Sequence, residues 1–172
     1  MTTGGFPRVP SHFQMQLVEV LLKGGRSLSG TLHVPEGMSL LNFLRIQEFF
    51  INLTTVRESR KPDEDPVDHP LEHLSLRLSN VIWVIPMESS FHLSAASAPM
   101  KEGRGVEIHL TDGEILSVTL NIADQQRMSD YLDANSGFVP LFEAKALSTS
   151  RLIEQLALNH EAILAIREIS KF

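Results

Sequence analysis

The chain has 172 residues, 42% of them hydrophobic, and a mean hydropathy near zero, values that suit one or two small globular domains. Fifteen Lys and Arg against 21 Asp and Glu give a formal charge of −6, opposite in sign to the surface that phosphate-driven nucleic-acid binding needs. The absence of cysteine excludes disulfides, thiolate metal ligands and a cysteine nucleophile, and no apolar run approaches the ~20 residues that cross a bilayer.

The opening, "MTTGGFPRVPSHFQMQ", has no basic region followed by an apolar one, so a secretory signal is not expected and a cytoplasmic location is. Residues 1–15 read as a flexible lead-in. Val18, Val20 and Leu22 then alternate with outward positions, and Leu28, Gly30 and Leu32 resume the alternation after "KGGR" at 23–26. Period-two patterning signals half-buried strands, and glycine tolerates the positive φ of a tight turn, so the spacing predicts a β-hairpin. "MSLLNFL" (38–44) predicts a short amphipathic helix, and "FFINLTTV" (49–56) a third strand. The polar stretch 58–73, with three prolines, predicts a long loop. "LSLRLSNVIWVIP" (74–86) is β-branched and predicts two strands about a turn at Ser79-Asn80. Residues 87–103, rich in Ser and Ala, read as a linker.

From residue 104 the pattern repeats. At an offset of 88 (106 − 18), Val18, Glu19, Leu22, Gly25, Leu28, Ser29, Thr31 and Leu32 recur as Val106, Glu107, Leu110, Gly113, Leu116, Ser117, Thr119 and Leu120. Leu44, Phe50 and Leu53 recur as Leu132, Phe138 and Leu141 without a gap. Chance rarely keeps apolar spacing and turn glycines in register together, so the chain reads as a duplication with domains at 16–86 and 104–172. "TDGE" (111–114) repeats the hairpin tip. "RMSDYLD" (127–133), with Ser129 as a candidate cap, repeats the helix, and "GFVPLFEAKAL" (137–147) repeats the third strand. "LIEQLALNHEAILAIREI" (152–169) has helix-favouring residues, but its counterpart is β-branched. The repeat therefore predicts two strands about Asn159-His160, with Ile85 matching Ile166 at an offset of 81.

The strands, turn glycines and arginine of "VEVLLKGGRSLSGTL" and "LRLSNVIWVI" (76–85) resemble the two sequence motifs of Sm-like proteins. The second half is similar to uncharacterised bacterial domains distantly related to them. The resemblance covers most of 16–86 and 104–169. It implies two tandem, mainly β, bent five-stranded antiparallel barrels with short helical pieces. It also implies edge-to-edge association into rings, and uridine-rich RNA bound by residues after the second and fourth strands. The residues at those RNA positions depart from the family. The aspartate position holds Glu36 and Asp124, and the Met-Asn pair is replaced by Ser39-Leu40 and Arg127-Met128. The arginine stays as Arg77 but becomes Ala157, followed by Leu78 and Leu158. Base stacking and edge recognition need those side chains, so the resemblance implies a kept fold and a lost nucleotide pocket.

Other chemistry is thinly represented. His69 and His73 are spaced i,i+4 near Glu72, Asp63, Glu64, Asp65 and Asp68, the spacing of a helical metal pair, but Pro66 and Pro70 oppose a helix and a solvated acidic loop is the plainer reading. Asp112, Asp124, Asp130 and Asp133 suit hairpin tips and helix ends better than acid–base pairs. Ser89, Ser90, Ser94 and Ser97 lack a nucleophile context. Trp83 and Phe50 read as core residues, Phe49 as more exposed, and Gly25 and Gly113 as turn glycines.

The expectation is a non-catalytic binding or scaffold protein without cofactor, metal or membrane span. It would act through protein contacts and self-associate as a homo-oligomer by edge-strand pairing. Trp83, Val84 and Ile85, with Leu164, Ala165 and Ile166, are expected at those edges. The alternatives are single-stranded RNA binding through Glu36, Arg77 and Asp124, and a metal-dependent enzyme at His69 and His73.

Overall fold

The computed structural model describes residues 12–59, 70–88, 92–93, 103–123 and 125–169. Its first half runs β1 (Phe13–Leu22), β2 (Ser27–Pro35), α1 (Leu40–Ile46), β3 (Phe50–Ser59), β4 (Leu71–Arg77) and β5 (Val81–Pro86). The second half repeats that order: β6 (Arg104–Leu110), β7 (Ile115–Leu120), α2 (Met128–Ala134), β8 (Phe138–Ala146), β9 (Arg151–Asn159) and β10 (Ile163–Glu168). Single 3-10 turns, Leu78–Asn80 and His160–Ala162, join the last two strands of each half.

Local chemistry accounts for most of these elements. The hairpin tips carry Gly24, Gly25 and Gly113 at positive φ, where glycine has no Cβ to clash. Ser39 caps α1, its Oγ accepting from the Asn42 backbone N–H at 3.2 Å. In α2 the cap position belongs to Arg127, which makes no side-chain cap bond, and Ser129 lies inside the helix rather than at its start. The stretch 151–168 forms strands despite its helix-favouring composition. Gln155 to Asn159 are all buried, and burial on both faces of a central strand outweighs small propensity differences. Strand β1 begins at Phe13, so the last three residues of the expected flexible lead-in are in the sheet.

The ten strands form one antiparallel sheet in the order β10-β6-β7-β8-β9-β5-β1-β2-β3-β4. The sheet is open rather than two separately closed barrels. Among the described residues neither β4 with β5 nor β9 with β10 makes a ladder. The halves instead join through β5 and β9, where Trp83 lies opposite Leu158 and Val84 opposite Ala157. Each half bends at a matching bulge. The β2·β3 register shifts between Ser29 and Thr31, Thr55 has φ 52°, and its counterpart Glu143 in β8 (143 − 55 = 88) has the same φ.

The structure corrects one detail of the repeat. Val84 lies opposite Val20 and Ile166 opposite Ile108, and those strands correspond at 88. Val84 therefore matches Ile166, an offset of 82 (166 − 84), and the matching 3-10 turns agree (160 − 78 = 82). Trp83 corresponds to Ala165, Ile85 to Arg167, and Arg77 to Asn159 rather than to Ala157.

Two apolar cores result, and each borrows from the other half. Phe138 and Ala157 complete the first core. Ile82, Trp83 and Ile85 belong to the second. Burial of a side chain such as Ile82, worth about 1.5–3 kcal/mol, thus stabilises the union of the halves. The expected linker is in part structural: Leu93 is buried in the first core, its N–H donates to Gln155 Oε1 at 2.8 Å, and its carbonyl accepts from Leu41 N at 3.1 Å. No helix among the described residues is long and apolar enough to cross a membrane.

Candidate docking edges

Strands β4 and β10 end the sheet, and each has a counterpart that is paired inside the chain. By the repeat, β4 corresponds to β9 and β10 to β5. The β5·β9 junction therefore shows how those two kinds of edge fit together, and among the described residues one of each is unpaired.

Polar side chains fix the junction. Asn159, 5% exposed at the end of β9, donates through Nδ2 to the carbonyls of Leu78 and Val81, both at 2.9 Å, while its Oδ1 accepts from Glu161 N at 3.0 Å. Arg45 reaches from α1 in the opposite direction. Its Nε and Nη2 donate to the Phe138 carbonyl at 3.1 and 2.9 Å, and Nη2 also to Asn135 Oδ1 at 3.0 Å. Burial pushes the Arg45 guanidinium below its usual pKa, opposed by Tyr131. Burial likewise raises the Tyr131 phenol, opposed by the charge of Arg45. Across the outer face Arg151 grips Glu19 with both terminal nitrogens, at 2.8 and 3.0 Å.

The free ends look like the same junction opened. Ile82 is fully buried, while Leu164 at its position on β10 is 71% exposed. Phe138 is 3% exposed, while Phe50 on β3 is 50% exposed. Of the six expected edge residues, Trp83, Val84 and Ile85 are therefore at an edge of the first half that the second half covers. Leu164 and Ala165 are exposed on β10, with Ile166 half-buried. A charged residue replaces an uncharged one at both ends. Arg167 stands where Ile85 does and engages Glu107, and Arg77 stands where Asn159 does.

Of the residues of the RNA alternative, Arg77 and Glu36 line different hollows. Arg77 lines a cleft of about 380 Å³ at the junction, with Arg45, Phe49, His160, Glu48 and Glu161 around it. Glu36 follows β2, its N–H donating to the His12 carbonyl at 2.9 Å, and lines a different hollow with Phe13 and Gln14. Asp124 lies outside the described residues, as do His69, Asp63, Glu64, Asp65, Asp68, Ser89, Ser90, Ser94 and Ser97. His73 and Glu72 are exposed on β4, and among the described residues no group of three or more His, Cys, Asp or Glu is placed to hold a metal. Asp112 shapes its hairpin, Oδ1 accepting from Glu114 N at 3.1 Å; Asp130 and Asp133 are exposed on α2.

No family model, curated protein or solved structure matches the chain.

Sequence reasoning missed Asn159 and Arg45 as junction clamps, and Leu93 as a plug. Asn159 was legible only as a turn residue. An offset of 82 carried through the turn would have set it against Arg77 and marked the position as one that differs between a covered edge and a free one.

Proposed function

We propose that the chain is a non-catalytic scaffold that assembles with copies of itself, the β10 edge of one copy pairing with the β4 edge of the next. One observation carries the reading: the β5·β9 junction is a working example of that pairing, and no described strand pairs with the outer edges of the two equivalent strands. Exposed strand edges recruit other strands unless they are covered, and here the covering surface is already encoded in the same chain. Transposing the internal register by 82 puts Ala165 opposite Leu76 and Ile166 opposite Ser75 of the next copy. It also covers Leu164 and Phe50. The two edges differ, so the contact is head-to-tail and builds a ring or a filament rather than a closed pair. In this reading each half is a divergent Sm-like unit. The five antiparallel strands per half and the bulge that bends the third support that kinship.

The test uses the absence of native cysteine. Ser75→Cys and Ile166→Cys are made in separate chains and mixed under mild oxidation. Opposed residues of antiparallel strands have Cα atoms about 4.5–5.5 Å apart, within disulfide reach. Covalent mixed dimers are expected, together with a solution mass above one chain for the parent protein. A parent that stays at the mass of one chain at every concentration overturns the reading.

A second reading is single-stranded RNA held in the junction cleft. It is favoured by Phe49, 64% exposed beside Arg77, as a face on which a base stacks. Glu48 and Glu161 in the same lining and the overall negative charge oppose it. Filter binding at two ionic strengths decides: retention that falls with salt and on Arg77→Ala supports it, and no retention ends it.

A further inference from the structure

We propose that Arg77 of one copy forms an ion pair with Asp133 of the next, and that this pair selects the head-to-tail contact. The inference rests on the self-association reading and follows from comparing the two clamps of the internal junction with their repeat counterparts. Inside the chain, Arg45 from α1 and Asn159 from β9 line one cleft. Arg45 holds the Phe138 carbonyl, and Asn159 is the residue opposite Phe138 in the β8·β9 ladder. Shifting by the repeat, Asp133 takes the place of Arg45 on α2 (133 − 45 = 88). Arg77 takes the place of Asn159, opposite Phe50 in the β3·β4 ladder.

A carboxylate cannot donate to a carbonyl as Arg45 does, so the internal clamp is not copied at the outer junction. It is exchanged for opposite charges at the two positions that the internal junction brings together. Both residues are free to make the contact. Arg77 and Asp133 are exposed, and neither side chain has a hydrogen bond or ion pair with another described residue. Partial desolvation between two copies strengthens such a pair well beyond an ordinary surface salt bridge. Pairing of two like edges would instead leave each charge without its opposite.

Charge reversal in the full-length chain, read by sedimentation over a concentration series, tests the pair. Arg77→Glu and Asp133→Arg are each expected to weaken association by about tenfold or more. The double variant R77E/D133R, with the pair inverted, is expected to return to within about threefold of the parent. Each single variant alone should melt like the parent when dilute, since neither side chain has a partner among the described residues. Leu164→Lys is the edge control: it places a charge opposite Arg77 at the position where Ile82 is fully buried. If R77E and D133R weaken association and the double variant is weaker still, the pairing falls while loss of assembly by L164K keeps the edge reading. If L164K assembles like the parent, the edge reading falls and the ion pair with it.

Discussion

Replacing Asn159 by alanine should destabilise the protein severely for a single polar side chain. The carboxamide is 5% exposed and makes three hydrogen bonds, to the Leu78 and Val81 carbonyls and from Glu161 N, all between 2.9 and 3.0 Å. A net value of about 1 kcal/mol for each bond gives a loss of about 3 kcal/mol. For a chain of this size that lowers the midpoint of thermal unfolding by roughly 6–12 °C. Arg77→Ala, at the same position of the other half, should change stability by less than about 0.5 kcal/mol, because the Arg77 side chain is exposed and has no partner among the described residues. Urea unfolding followed through Trp83, the sole tryptophan and buried at the same junction, measures both. The comparison is made at a concentration where sedimentation shows one unassembled species, since assembly adds apparent stability. An N159A variant within about 0.5 kcal/mol of the parent, or an R77A variant that loses as much as N159A, would refute the argument that Asn159 locks the halves together.

Three more outcomes follow from side chains already described. Trp83 Nε1 is buried with no hydrogen-bond partner among the described residues, so Trp83→Phe should cost no more than about 1.5 kcal/mol while Trp83→Ala costs about 3–5 kcal/mol; near-equal losses in urea titrations would contradict this. Thr55→Gly should stabilise by up to about 1 kcal/mol by relieving a β-branched residue at φ 52°, and Glu143→Gly by less; a lowered melting midpoint for both would show the bulges to be unstrained. Burial raises the Glu114 carboxyl, but hydrogen bonds from the Ser148 side chain and from backbone N–H groups, Ser148 first, outweigh it and leave the pKa below the ordinary 4.5. The folded pKa being the lower one, Glu114 contributes stability above pH ~4.5 that is lost as pH falls through the folded value. Glu114→Gln should flatten that part of the acid limb, and an unchanged slope would sink the assignment.

The strands and their turns were legible because they depend on neighbours in the chain. Val18, Val20 and Val106, Ile108 announce a buried face by alternation, and Gly25 and Gly113 announce a turn by backbone freedom. The duplication followed, and it gave the right answer for 151–168, where local preference pointed to a helix. What stayed hidden depends on which strand lies beside which. Trp83 reads as an edge residue, and it is one for its own half; nothing in "VIWVIP" says that "LALN", more than 70 residues on, covers it. The one-residue slip that set Ile85 against Ile166 has the same origin. On β5 both faces are buried, so no alternation survives to mark the register, and on the free β10 Arg167 and Glu168 follow the demands of an open edge. Asn159 acts on carbonyls 78 and 81 positions earlier in the chain, as its bonds to Val81 and Leu78 show.

The exchange of Phe138 and Ala157 for Ile82, Trp83 and Ile85 has a consequence for the gene as well as for the protein. Neither half carries a complete interior, so neither can be inherited or expressed as a finished domain. A chain divided between Leu93 and Gly103 should yield two fragments that are insoluble or unfolded apart and recover native structure when combined. What began as two copies has become a single heritable object, and a deletion of either copy would remove the protein rather than halve it.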